Sequence, residues 1–149
     1  MSTEKHHFSS SIQWPGGRNA IGQINTGVIQ AAISVPATMS GPGEGTNPDE
    51  MLLGAASTCY TITLAALLER NQIEPLDFKV TSDGVVDVTN GIFNYESIQH
   101  HLYLKLKADA TAHQMELAEK LAKKAESSCM ISKALSGNVA VSADIHIQK

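Results

Sequence analysis

Between residues 49 and 70, small and apolar side chains recur at three- and four-residue spacing: Met51, Leu52, Ala55, Ala56, Cys59, Ile62, Thr63, Ala66 and Leu67. That period predicts a helix. Such residues cover most of its circumference, so the helix is expected to be deeply buried. Asn47 followed by Pro48 supplies an N-cap and a proline at the first helical position. Asn71 and, further on, Pro75 supply the stop. Residues 78–88, the turn Thr89-Asn90-Gly91 and residues 92–107 predict a long hairpin. In its second strand Glu96, Ile98, His100, Leu102, Leu104 and Leu106 share one face, mainly apolar and expected toward the core. Thr111 is placed to cap a helix over residues 112–127, with Met115, Leu117, Ala118, Leu121, Ala122 and Ala125 on or near its inner face. Residues 128–135 read as a second short helical piece, and residues 139–147 as a closing strand.

Ahead of the long helix the signals are weaker. Residues 8–14 alternate slightly before Pro15-Gly16-Gly17 breaks the pattern, and residues 22–35 read as short strands around an Asn25-Thr26-Gly27 turn. Residues 37–48, rich in Gly, Pro, Ser, Thr and Asn, form a loop longer than most connections, which makes it a candidate functional segment. The order of strands, buried helix, hairpin, helix and strand, without internal repeats, predicts an α+β architecture.

Composition narrows the function classes. A chain of 149 residues fits one domain, and 42% hydrophobic residues suffice for a core. The net charge of -4, with no basic stripe, argues against a nucleic-acid partner. No run of about 18 apolar residues and no secretory leader stand out, so the expectation is a cytoplasmic protein without a membrane role. The six histidines (His6, His7, His100, His101, His113, His146) show no metal-ligand spacing and are expected at the surface or partly buried.

The chemistry rests on two cysteines. If the long helix broke near Gly54, Ser57 or Thr58 could cap a fresh helix and leave Cys59 in its first turn, where the helix dipole stabilises a thiolate. If the helix is continuous, Asp49 lies about 15 Å from Cys59 along the axis, and Cys59 is a small core residue. Cys129 follows Ser127-Ser128 at a helix boundary, with Ser132 three residues on, and a helix N-terminus there would lower its pKa too. Arg18, after Gly16-Gly17, is the one arginine besides Arg70. Its permanent charge suits it to hold a thiolate or another anion, or simply to sit in an exposed turn.

Residues 45–59, GTNPDEMLLGAASTC, resemble the first-cysteine segment of the OsmC/Ohr family. Residues 129–135, CMISKAL, resemble its second-cysteine segment, and residues 14–22 its N-terminal part. The resemblance covers nearly the whole chain as a single domain, 1–149. It implies an OsmC-like fold: an intertwined homodimer with a central buried helix against curved antiparallel sheets, and active sites at the subunit interface. It also implies a thiol-dependent peroxidase for organic hydroperoxides. Cys59 would be the attacking cysteine, Cys129 the resolving one, and an external dithiol the reductant. Arg18 matches the family arginine. No metal or flavin cofactor is required.

Two departures bear on activity. The family glutamate ten positions before the first cysteine is Asp49 here, and Met130 stands where many members carry proline. A shorter carboxylate strains bidentate pairing with arginine. These departures sustain an alternative reading, a non-catalytic OsmC-like protein that binds a small ligand or senses redox state.

Overall fold

The computed structural model describes residues 2–149, which divide into two compact units, the first ending at residue 51 and the second spanning residues 52–149. The first unit holds a meander of β1 (Ser10–Gln13), β2 (Gly22–Thr26) and β3 (Ile29–Ile33), paired antiparallel in that order. The loop that follows is not featureless: a 3₁₀ turn spans Ala37–Met39, and Thr46 returns to bridge Ile33. Its Gly45, at φ 69°, runs against the Ala32 carbonyl where any Cβ would collide with backbone. Only glycine fits there.

Helix α1 (Pro48–Arg70) starts where the sequence predicts. Asn47 Oδ1 accepts the Glu50 N–H at 2.9 Å, and Pro48 occupies the first turn. The second unit then adds β4 (Pro75–Thr89), β5 (Ile92–Leu106), α2 (Ala112–Ser128), α3 (Met130–Leu135) and β6 (Ala140–Gln148). The β4–β5 hairpin closes on Asn90 and Gly91, both at positive φ (53° and 74°), as a two-residue turn with the right twist requires. Thr111 caps α2 through a full capping box with Gln114. The α+β class is as expected, but the expectation of antiparallel sheets is corrected in the second sheet, where β6 pairs parallel to β5. Alternation sets a strand's face but not its direction.

Ile98, His100, Leu102, Leu104 and Leu106 of β5 face inward and are buried. Glu96 departs from this face because the register slips between Val85 and Val86, bringing Tyr95 opposite Val86 and skipping Glu96. Tyr95 instead packs against the cluster of Ala56, Ile98 and Val139. The main core joins Tyr60, Leu64 and Leu68 of α1 to Leu102, Leu104 and Leu106 of β5 and Ala118, Leu121, Ala122 and Ala125 of α2.

Further expectations need correction. Helix α1 is not deeply buried all round in this chain: Ala56, Tyr60, Leu64 and Leu68 form its one buried stripe, while Ile62 is 64% exposed. The β4–β5–β6 sheet with helices α2 and α3 packs along that stripe. Against the expectation of no membrane-length apolar run, α1 is also long and apolar enough to cross a membrane; its buried stripe, however, packs into the core. Nor are all the histidines near the surface. His100 is fully buried, stacked on Tyr60 (centroids 4.9 Å, 10°) and bonded through Nδ1 to Ser82 Oγ at 2.6 Å.

Burial, then the neighbouring His101, lowers the His100 pKa, so the folded chain keeps it neutral. The unfolded chain takes up that proton from about pH 6.5 downward. The stability His100 contributes is therefore fully present above about pH 6.5 and is lost as pH falls toward the folded value, by up to about 1.4 kcal/mol per pH unit. Thermal melts at pH 7.5 and 5.5 should show a larger loss for wild type than for His100→Phe; equal losses would remove His100 as the cause.

Candidate functional site

Helix α1 is unbroken through Gly54, so Cys59 lies in mid-helix, not in a first turn. Ser57 caps nothing: its hydroxyl donates back to the Leu53 carbonyl at 2.6 Å, and Thr61 repeats the pattern on Ser57 at 2.8 Å. Cys59 is half-buried, on the flank of the helix beside the Tyr60 stripe. What reaches it is the junction of α2 and α3, seventy residues on.

Cys129 ends α2 and begins α3, its N–H bonded to the Ala125 carbonyl and its carbonyl accepting from Lys133 N–H, both at 3.0 Å. It is 0% exposed. The junction puts the Cys129 thiol and the N–H groups of Met130 and Ile131 against the Cys59 sulfur. Thr63, one turn along α1, adds its hydroxyl at 4.0 Å. The helix N-terminus that acts on Cys59 thus belongs to α3.

These contacts split the two thiols. Burial pushes the Cys59 thiol up, but the Cys129 S–H, the Ile131 N–H, the Thr63 hydroxyl and the Met130 N–H outweigh it, and the net pKa is lowered. Cys129 goes the other way. Burial and donation to Cys59 raise it, more than the amides of Ser132 and Ile131 and the Ser132 hydroxyl lower it. The expectation of a lowered pKa at Cys129 is therefore wrong: burial and the neighbouring Cys59 sulfur raise it.

Tyr60 sets the phase of α1. Its hydroxyl donates to the Ala122 carbonyl of α2 at 3.0 Å, and its pKa is pushed up to about 12 by burial and the Glu126 carboxylate. It remains a neutral donor at any ordinary pH. Thr63 and Tyr60 escaped the sequence reading as site residues, although a hydroxyl four positions after a helical cysteine lies on the same face.

Asp49 stands in the first turn of α1, ten residues before Cys59 on the same helix, so the two are about 15 Å apart along the axis. Arg18 belongs to the first unit. Its guanidinium donates to the Met39 carbonyl at 2.8 Å, the Ser40 carbonyl at 3.3 Å and Asn19 Oδ1 at 2.9 Å, fastening the 3₁₀ turn. Among the described residues no group of His, Cys, Asp or Glu side chains is arranged to hold a metal ion.

The family model for OsmC-like protein matches residues 41–144, and the chain belongs to this family. It is 56% identical over 134 residues to the uncharacterized protein YmaD of Bacillus subtilis, covering 90% of this chain and 89% of that one. Among solved structures it resembles an OsmC-like protein of unknown function from Vibrio cholerae, with TM-score 0.79 and 13% identity over 95% of this chain and all of that one. It also resembles the organic hydroperoxide resistance protein OhrB of Bacillus subtilis, with TM-score 0.66 and 26% identity over 93% and 98% of the two chains.

Iodoacetamide should alkylate Cys59 first, with a rate inflection below the ordinary thiol range, while Cys129 reacts slowly at neutral pH. Cys129→Ala should move the Cys59 inflection upward by removing a donor, as should Thr63→Val to a smaller degree. Mass mapping of the labelled peptides against pH checks this, and an unmoved inflection in Cys129→Ala would contradict the shared proton.

Proposed function

We propose that this protein is a thiol-dependent peroxidase that reduces organic hydroperoxides. The observation that carries the reading is the half-exposed Cys59, with its pKa lowered and a second thiol as its donor. A thiolate with a resolving thiol in contact is what two-electron peroxide reduction needs. Cys59 sulfur attacks the nearer peroxide oxygen, the O–O bond breaks, and the alcohol leaves with a proton. Cys129 then displaces hydroxide from the Cys59 sulfenic acid to form the disulfide and water. An external dithiol returns both cysteines to thiols. The kinship to organic hydroperoxide resistance proteins supports the substrate class.

Arg18 and Asp49, on their match to the family's arginine and glutamate positions, are proposed to position thiolate and peroxide across the subunit interface of a homodimer, since Asp49 stands about 15 Å along α1 from the Cys59 of its own chain. A homodimer is also part of the reading. The open side of α1 carries Ile62, and an open groove of about 1100 Å³ beside it is lined by Ala65, Ala66, Ile73, Pro75 and Leu106. Exposed Val88, Ile92 and Phe93 at the hairpin tip need covering as well. A cytoplasmic setting would keep the pair reducible. The alternative, a non-catalytic ligand-binding or redox-sensing protein, draws on Asp49 and Met130, the departures from the family pattern.

Reduced protein mixed with limiting tert-butyl hydroperoxide should lose both thiols rapidly, Cys59→Ser should be inert, and Cys129→Ser should trap a sulfenic acid. Continued turnover with a dithiol separates the enzyme from a sensor; thiols that survive minutes of excess peroxide would end the peroxidase reading. Sedimentation at micromolar concentration should give a dimer that Ile62→Glu weakens. A wild-type monomer would sink that part of the proposal.

A further inference from the structure

Among the described residues, two buried side-chain polar atoms have no hydrogen-bond partner of normal geometry: His100 Nε2 and Ser132 Oγ. Ser132 is 7% exposed and sits on α3 three residues after Cys129, the residue that begins that helix. An orphaned buried hydroxyl is costly and calls for an explanation. Within one turn of it, at the start of the same helix, is the Cys129 sulfur, whose pKa the Ser132 hydroxyl and backbone N–H pull down.

We propose that Ser132 is the group that supports the Cys129 thiolate, donating its hydroxyl proton to that sulfur whenever Cys129 gives up its own. This deepens the peroxidase reading and rests on it. While Cys129 is a thiol donating to Cys59, the Ser132 hydroxyl has no strong acceptor. The acceptor arises in two steps. In resolution, the Cys129 sulfur must release its proton to attack the sulfenic sulfur of Cys59; the S–S bond forms, the S–O bond breaks, and hydroxide takes the released proton as water. In reduction, a dithiol's thiolate attacks the disulfide at Cys59, the half-exposed sulfur, because Cys129 is fully buried. The S–S bond breaks, and its electron pair leaves on Cys129. A second thiol of the reductant then displaces Cys59. Both steps pass through charge on Cys129. The titratable groups nearest along the elements meeting there are Cys59 on α1, Glu126 on α2 and Lys133 on α3, and of these Cys59 alone acts on the Cys129 sulfur.

The test compares wild type, Ser132→Ala and Ser132→Thr. With tert-butyl hydroperoxide, Ser132→Ala should form the Cys59 sulfenic acid at the wild-type rate. It should close the disulfide at least tenfold more slowly, with the closure's pH profile moved upward and more sulfinic acid at Cys59. Ser132→Thr should restore closure. Equal closure rates and profiles in Ser132→Ala and wild type would overturn the proposal. If peroxide oxidises neither protein, the peroxidase reading has failed separately. Disulfide made with diamide then decides Ser132 by itself: slower cleavage by dithiothreitol in Ser132→Ala supports the role, and equal rates overturn it.

Discussion

The hydrogen bond from Tyr60 to the Ala122 carbonyl is the constraint on which the thiol pair depends. Cys59 and Cys129 lie on different helices, and their contact requires α1 and α2 to hold a fixed rotation and a fixed slide. Dispersion between Leu64, Leu68 and the small residues of α2 favours close approach but does not fix position, since apolar contacts are non-directional. A buried hydroxyl with one acceptor does. Tyr60 follows Cys59 immediately, and Ala122 lies about two turns before Cys129, so one bond at 3.0 Å sets both ends. His100, stacked flat on the Tyr60 ring and tied to Ser82, backs this arrangement from the sheet.

From that contact follows the unequal character of two identical side chains. A proton shared between neighbouring sulfurs belongs to the pair, and small differences in surroundings decide where it rests. Cys59 is half-exposed and receives two backbone N–H groups and a hydroxyl besides; Cys129 is enclosed. The pKa is lowered on the more accessible sulfur and raised on the enclosed one. Reversing the burial of the two residues would place the reactive sulfur inside the core. The short α3 is thus part of the electrostatics as much as of the packing, because its first amides exist to be donated only if the chain turns sharply at Cys129.

Much of this was legible in the sequence, and what was not has a common physical cause. Local signals fixed the N-cap at Asn47, the Asn90-Gly91 turn, the Thr111 cap and the inward parity of Ile98 through Leu106, since each depends on residues a few positions apart. A broken and a continuous helix both stood open for Cys59, and the terminus that acts on it was not legible because it lies seventy residues away. His100 was read as surface or partly buried for a related reason: its parity pointed inward, but its partners Tyr60 and Ser82 become neighbours only after folding. The depth of α1 was misjudged in the opposite sense. Its composition is that of a helix covered on every side, and composition does not say whether one chain does the covering.

The places where local rules are broken converge on the same few residues. A buried histidine left with a bare ring nitrogen and a hydroxyl without a normal partner each cost stability, and a mid-helix cysteine has its pKa lowered beside them. Scattered at random, they would be unrelated imperfections. Instead His100 stacks on the tyrosine that positions Cys59, and Ser132 stands one turn from Cys129. Unsatisfied polar groups are retained where a charge must appear transiently, because a group already satisfied has nothing to give when that charge forms. An apolar residue at either position would give a better-satisfied core. At Ser132 it would also remove the one side-chain hydroxyl that pulls the Cys129 pKa down.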